Sequence, residues 1–217
     1  MRKPQLIVAL DVDTLDKAKQ FVDTLYPAVG IFKVGLQLFT AAGPCVVEEI
    51  RGKGAQVFLD LKLHDIPNTV ANAVRRAARL KVKMLTLHCA GGEAMLKAAV
   101  AAADEAKEAR PLLIGVTVLT SQEANPQEVL RLAKSARACG LDGVVASVQE
   151  AAALRKECGK GFIIITPGIR PEGAEAGDQK RVATADDAVR AGSDYIVVGR
   201  PILEAKDPRK AAEEIFE

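Results

Sequence analysis

Eight short apolar runs, each followed by a stretch of helical periodicity, set the strongest limit on how this chain of 217 residues can fold. The runs lie near Leu6–Leu10, Gly30–Val34, Gln56–Leu61, Met84–His88, Leu112–Val118, Gly143–Ala146, Phe162–Thr166 and Tyr195–Val198. They are strand length and rich in aliphatic and β-branched residues. Between them lie segments rich in Ala, Lys and Glu, such as Ala94–Ala109 and Pro126–Cys139, whose apolar residues recur at helical spacing. Eight βα units in a chain of this length predict an α/β fold, a single TIM (β/α)8 barrel occupying residues 1–217 as one domain. The competing arrangement is a doubly wound open sheet. That fold more often carries a glycine-rich dinucleotide loop after its first strand, and Asp11-Val12-Asp13-Thr14 is not one.

In a TIM barrel the chemistry sits at the C-terminal ends of the strands, so the residues there are the candidates. The first strand ends in Asp11, the second in Lys33, the third in Asp60 and Lys62. The fourth ends in His88, the fifth runs into Thr120, and the sixth ends in Ser147. The seventh leads to Arg170 and the eighth to Gly199-Arg200. Singly, each has an ordinary explanation as a cap, a turn or a solvated rim residue. Together they are expected to converge on one mouth. Side chains alternate along a strand, which puts Asp60 and Lys62 on one face. Asp65 follows on the loop, and Pro67 opens a helix at a position that suits its fixed φ. The loops after strands seven and eight are the usual phosphate cradle of this fold, and here they supply Arg170, Gly199 and Arg200. The long connection Gly168–Arg181 contains Pro171, Gly173 and Gly177 and is expected to act as a lid.

Composition narrows the partners. The charged residues nearly balance, 30 basic against 28 acidic, for a net charge of +2. Neither nucleic acid nor an anionic membrane is expected as the main partner. The apolar runs are too short to span a bilayer, and no signal peptide is read at the N-terminus, so a cytoplasmic location is expected. Cys45, Cys89, Cys139 and Cys158 form no Cys-x-x-Cys pair, and His64 and His88 are the only histidines. Metal-ligand spacing is therefore absent. The cysteines are expected to be reduced and packed as small hydrophobes.

The segment Asp60-Leu61-Lys62-Leu63-His64-Asp65-Ile66-Pro67-Asn68-Thr69-Val70 resembles the Asp-x-Lys-x-x-Asp signature of the orotidine 5′-monophosphate decarboxylase superfamily, in the form typical of its bacterial orotidylate branch. The resemblance extends over nearly the whole chain. It includes Ala9-Leu10-Asp11, Lys33-Val34-Gly35, Leu119-Thr120-Ser121, Thr166-Pro167-Gly168-Ile169-Arg170, Asp178 to Thr184, and Val198-Gly199-Arg200.

The resemblance implies a reaction and a set of roles. Orotidine 5′-monophosphate loses carbon dioxide to give uridine 5′-monophosphate, the last step of de novo pyrimidine synthesis. Lys62 is the general acid that protonates C6, and Asp60 sits beside the departing carboxylate. Lys33 holds Asp60 and the ribose region, and Asp11 binds a ribose hydroxyl. Thr120 touches the pyrimidine edge, and Gln179 bridges base and phosphate from the lid. Arg170, Gly199 and Arg200 bind phosphate, while Ile66 and Pro167 complete the substrate-binding set. Asp65 and Thr69 reach into a neighbouring subunit's site, which makes the active unit a homodimer. Neither metal nor organic cofactor is implied. Two alternatives remain open on the sequence. One is the sister branch of hexulose-phosphate synthase and ketogulonate-phosphate decarboxylase, which uses magnesium and typically has Glu where this chain has Lys33. The other is a phosphate-binding barrel without catalysis.

Overall fold

The structure, a computed structural model, describes residues 3–119, 121, 125–170 and 183–216. Its strands are β1 (Gln5–Ala9), β2 (Ile31–Gly35), β3 (Gln56–Leu63), β4 (Met84–His88), β5 (Leu112–Val116), β6 (Gly143–Val145), β7 (Ile163–Thr166) and β8 (Tyr195–Val198). All pair in parallel in sequence order, and β8 pairs with β1, which closes the barrel. The expected TIM fold is the observed one.

The helices are α1 (Leu15–Leu25), α2 (Leu36–Ala42), α3 (Cys45–Gly52), α4 (Pro67–Arg79), α5 (Gly92–Asp104), α6 (Pro126–Ala138), α7 (Val148–Cys158), α8 (Ala185–Ala191), α9 (Arg200–Leu203) and α10 (Pro208–Glu213). Their starts are written in the sequence. Thr14 caps α1 by accepting the Lys17 N–H, Asn125 caps α6 by accepting the Gln127 N–H, and Pro67 occupies the first turn of α4. Thr184 and Asp187 cap α8 reciprocally. On α4 the buried residues Val70, Ala71, Val74, Ala77 and Ala78 form one stripe, and Arg76 and Arg79 complement the dipole in the last turn.

Two apolar clusters divide the interior. One lies within the barrel: Ile7, Ala9, Ile31, Phe58, Met84, Ile114, Ile165 and Val197. The other, built on residues such as Val8, Phe32, Val57, Leu85 and Val144, joins the outer face of the strands to the helices. Strand residues thus alternate between the two, with the period of two that a pleated chain imposes.

At the N-terminal end of the barrel, two Arg–Asp pairs bind the strand starts together. Arg110 donates to both oxygens of Asp142, at 3.0 and 2.9 Å, and Asp142 also accepts the Leu113 N–H at 2.7 Å. Arg155 Nη2 donates to Asp194 Oδ2 at 2.5 Å, and that oxygen also accepts the Ile164 N–H at 2.8 Å. The helix expected over Ala94–Ala109 is shorter. α5 stops at Asp104, and a separate 3-10 turn covers Lys107–Ala109, because Lys107 adopts φ +49° and turns the chain out of helical geometry.

Candidate active site

The residues inside the barrel and the residues at its mouth belong to the same alternating series. Ala9 leads to Asp11, Ile31 to Lys33, Phe58 to Asp60, Ile165 to Pro167 and Val197 to Gly199. Each step of two keeps the side chain facing inward while the strand climbs out of the apolar layers. The result is a cavity of about 580 Å³ whose lining includes Asp11, Lys33, Asp60 and Lys62. Pro167, Arg170, Gly199 and Arg200, from the ends of β7 and β8, line it too, with Gly199 close beside Asp11. Seven of these eight are strand-end residues expected at the mouth, Pro167 comes from the resemblance, and the fold brings all eight together.

The first four form a row of alternating charge. Lys33 Nζ donates to Asp11 Oδ1 at 2.9 Å and lies 3.9 Å from Asp60 Oδ2. Lys62 Nζ donates to that same Asp60 oxygen at 2.7 Å. Asp60 is only 8% exposed. A carboxylate that dry is costly unless it is paired and hydrogen-bonded, and here an ammonium stands on either side of it. The close approach of Lys33 to Asp11 also explains Gly35. A Cβ there would meet Lys33 Nζ at 2.9 Å and Asp11 Oδ1 at 3.4 Å.

Lys62 reaches the mouth by a route that simple alternation does not provide. Leu59 pairs with Leu85, but the next paired residue of β3 is Leu63, opposite Leu87, so three residues of β3 stand against one of β4. Lys62, within this irregular stretch, has φ +50°, an unusual value for a residue with a side chain. Its N–H is satisfied by the hydroxyl of Thr86 at 2.8 Å, and that hydroxyl donates to Asp60 Oδ1 at 2.9 Å. Thr86 is fully buried and was not among the expected site residues. A threonine in a strand ordinarily reads as a β-branched filler. The available signal was its parity with Met84, which faces into the barrel. Gln37 and Glu204 also line the cavity without having been expected there.

Other expected residues lie elsewhere. Asp65, Ile66 and Thr69 are exposed and do not line this chain's cavity. Asp65 Oδ1 accepts the Ile66 N–H at 2.6 Å, and Ile66 is 66% exposed. Ser147 does not converge on the mouth. It is buried at the N-cap of α7, where its N–H and hydroxyl both donate to Glu150. His88 is half-buried and packs against His64 with ring centroids 5.4 Å apart, outside the cavity lining. Burial, reinforced by His64 and Lys62, holds its imidazole below the usual histidine range. Thr120, Gln179 and most of the expected lid lie outside the described residues. Cys89, Cys139 and Cys158 are buried thiols, with Cys89 pushed up to about 12 chiefly by burial, whereas Cys45 is exposed at the start of α3. Among the described residues no three His, Cys, Asp or Glu side chains are grouped as metal ligands, and no helix is long and apolar enough to cross a membrane.

An acid–base row at a barrel mouth, with two arginines in the same cavity, suits an anionic substrate. The sequence profile of the Orotidine 5′-phosphate decarboxylase / HUMPS family matches residues 4–215. This chain belongs to that family. The orotidine 5′-phosphate decarboxylase of Moorella thermoacetica is 50% identical over 229 aligned positions, covering 98% of this chain and 91% of the relative. The Vibrio cholerae serotype O1 enzyme of the same name is 49% identical, covering 99% and 98%. The crystal structure of orotidine 5′-phosphate decarboxylase from Lactobacillus acidophilus superposes with a TM-score of 0.86 at 38% identity, over 99% of this chain and 97% of that one. The segment that carries the resemblance lies here with Asp60 and Lys62 on β3 and Asp65 on the loop after it.

Proposed function

We propose that this chain decarboxylates orotidine 5′-monophosphate to uridine 5′-monophosphate, the last step of de novo pyrimidine synthesis, without a metal ion and as a homodimer in the cytoplasm. The observation that carries the reading is the unbroken row Asp11–Lys33–Asp60–Lys62 in one cavity with Arg170 and Arg200. Three buried free thiols fit a reducing compartment.

In this reading the bond from C6 to the carboxylate breaks and its electron pair stays on C6. Lys62 Nζ donates the proton that quenches the carbanion, and the resulting amine recovers a proton from water. Asp60 lies beside the departing carboxylate, with Lys33 fixing it from the far side. Asp11 takes a ribose hydroxyl, Thr120 the pyrimidine edge, and Gln179 bridges base and phosphate. Arg170, Arg200 and the Gly199 N–H grip the phosphate, while Pro167 lines the substrate side of the cavity. Asp65 and Thr69 serve the partner's site, and Ile66 completes the substrate-binding set. The reaction offers no electron sink, so charge fixed in place before the substrate arrives must stabilise the transition state. Binding energy from the remote phosphate supplies the rest.

Lys33 supports the metal-free reading. Asp11 and Asp60 are carboxylates that a cation at this mouth would seek, and an ammonium already lies 2.9 and 3.9 Å from them. Turnover of orotidine 5′-monophosphate, followed by loss of its absorbance, should persist after exhaustive EDTA treatment. Enzyme that dies with chelator and revives with magnesium would overturn this and favour the sister branch.

The phosphate grip has its own test. A charged hydrogen bond is worth about 1.5–3 kcal/mol, so Arg200→Ala should lower kcat/KM for the nucleotide roughly 10- to 150-fold. Part of the loss should fall on kcat, because phosphate binding also drives assembly of the closed site. The phosphate-free nucleoside should be nearly indifferent to the change. Equal fractional losses on the two substrates would remove Arg200 from the phosphate site.

A further inference from the structure

We infer that Thr86 is a positioning residue for the reaction: its one hydroxyl orients the Asp60 carboxylate and holds the Lys62 backbone in its left-handed turn. The inference rests on the decarboxylase reading of the cavity and deepens it.

A threonine hydroxyl has one proton and two acceptor lone pairs. The Lys62 N–H occupies a lone pair at 2.8 Å, and the proton goes to Asp60 Oδ1 at 2.9 Å. Between Leu59 and Leu63 the β3–β4 register is broken, and the side chain of Thr86 takes the place of the ladder bond that Lys62 lacks. With Oδ1 held by Thr86 and Oδ2 by Lys62, the Asp60 carboxylate is tied at both oxygens. Its plane is therefore fixed relative to the cavity, with Oδ2 between two ammonium groups.

The same hydroxyl offsets the cost of a positive φ at Lys62. A relaxed Lys62 would move its Cβ, and a 1 Å displacement of Nζ from the reacting carbon is costly. Phosphate and ribose contacts lie on other strands, so substrate affinity does not depend on Thr86. The function of this residue is to keep proton donor and carboxylate in one geometry.

Thr86→Val keeps the shape and removes the hydroxyl, whereas Thr86→Ser keeps the hydroxyl. Steady-state kinetics on orotidine 5′-monophosphate should show kcat of Thr86→Val lowered roughly 10- to 100-fold. KM and the affinity for uridine 5′-monophosphate should stay within about threefold of wild type. Thr86→Ser should recover kcat to within a few fold. Wild-type kcat in folded Thr86→Val would overturn the inference. So would a Thr86→Ser defect as deep as that of Thr86→Val, since the hydroxyl would then not be the operative group. If Thr86→Val does not fold, Thr86→Cys takes its place under the same criteria, with a weaker donor in a similar volume. Failure of the wild-type protein to turn over the nucleotide would instead strike the decarboxylase reading itself.

Discussion

Lys62→Ala is expected to reduce turnover of orotidine 5′-monophosphate by about 10⁴-fold or more. General acid catalysis alone accounts for roughly 10²–10⁴. The remainder comes from unbalancing the charge row, because Asp60 would lose its 2.7 Å partner and keep only Thr86 and the more distant Lys33. The fold should survive. Lys62 sits above the apolar layers of the barrel with its side chain 30% exposed, and loss of its ion pair should cost about 1–3 kcal/mol of stability. Single-turnover kinetics beside a thermal melt checks both parts. A folded variant with near-normal turnover would remove Lys62 from the proton-transfer step.

The second large effect is a recovery of activity. Asp65 and Thr69 are exposed and line no part of their own chain's cavity. Ile66 and Leu36 are the two large apolar side chains most exposed among the described residues, and they follow adjoining strands at the mouth end of the barrel. A second copy covering this face would bury both and bring Asp65 to its own Lys62. Lys62→Ala and Asp65→Ala should each be nearly inactive alone. Mixed in equal amounts and allowed to exchange subunits, they should regain up to roughly a quarter of wild-type activity. Half of the dimers are then mixed, and each mixed dimer has one site with both lesions and one with neither. If exchange is verified by mass and no activity returns, each chain builds its own site.

The barrel was legible because its evidence is redundant. Each strand is an apolar run with punctuation on both sides, and the mouth residues follow from β/α alternation with no knowledge of side-chain contacts. Elsewhere a local event adds to the pattern or outweighs it. Asp60 and Lys62 were placed on one face by alternation, and they do meet, but only through a bulge and a left-handed lysine that no strand pattern encodes. Ser147 was read as a strand-end polar group, whereas Glu150, three residues on, marks it as one half of a capping box. Thr86 escaped notice because its importance lies in two partners on another strand. Sequence spacing carries no information on that kind of contact. Thr120 and Gln179 fall outside the described residues, so their expected roles rest on the family resemblance.

The alternating row has a consequence for how the site responds to its own reaction. Register places Ala9 opposite Lys33 and Gly35 opposite Asp60, so the spacing between the charges is inherited from hydrogen-bonded strands about 4.8 Å apart. Water around a charge must turn when that charge moves, and the turning contributes to the barrier. A sheet does not turn. In the proposed reaction negative charge shifts from a carboxylate to a ring carbon, while the lysines and aspartates held on β2 and β3 stay where the backbone put them. The barrel wall thus acts as a solvent whose dipoles were oriented during folding, and the reorganisation energy was met before any substrate entered.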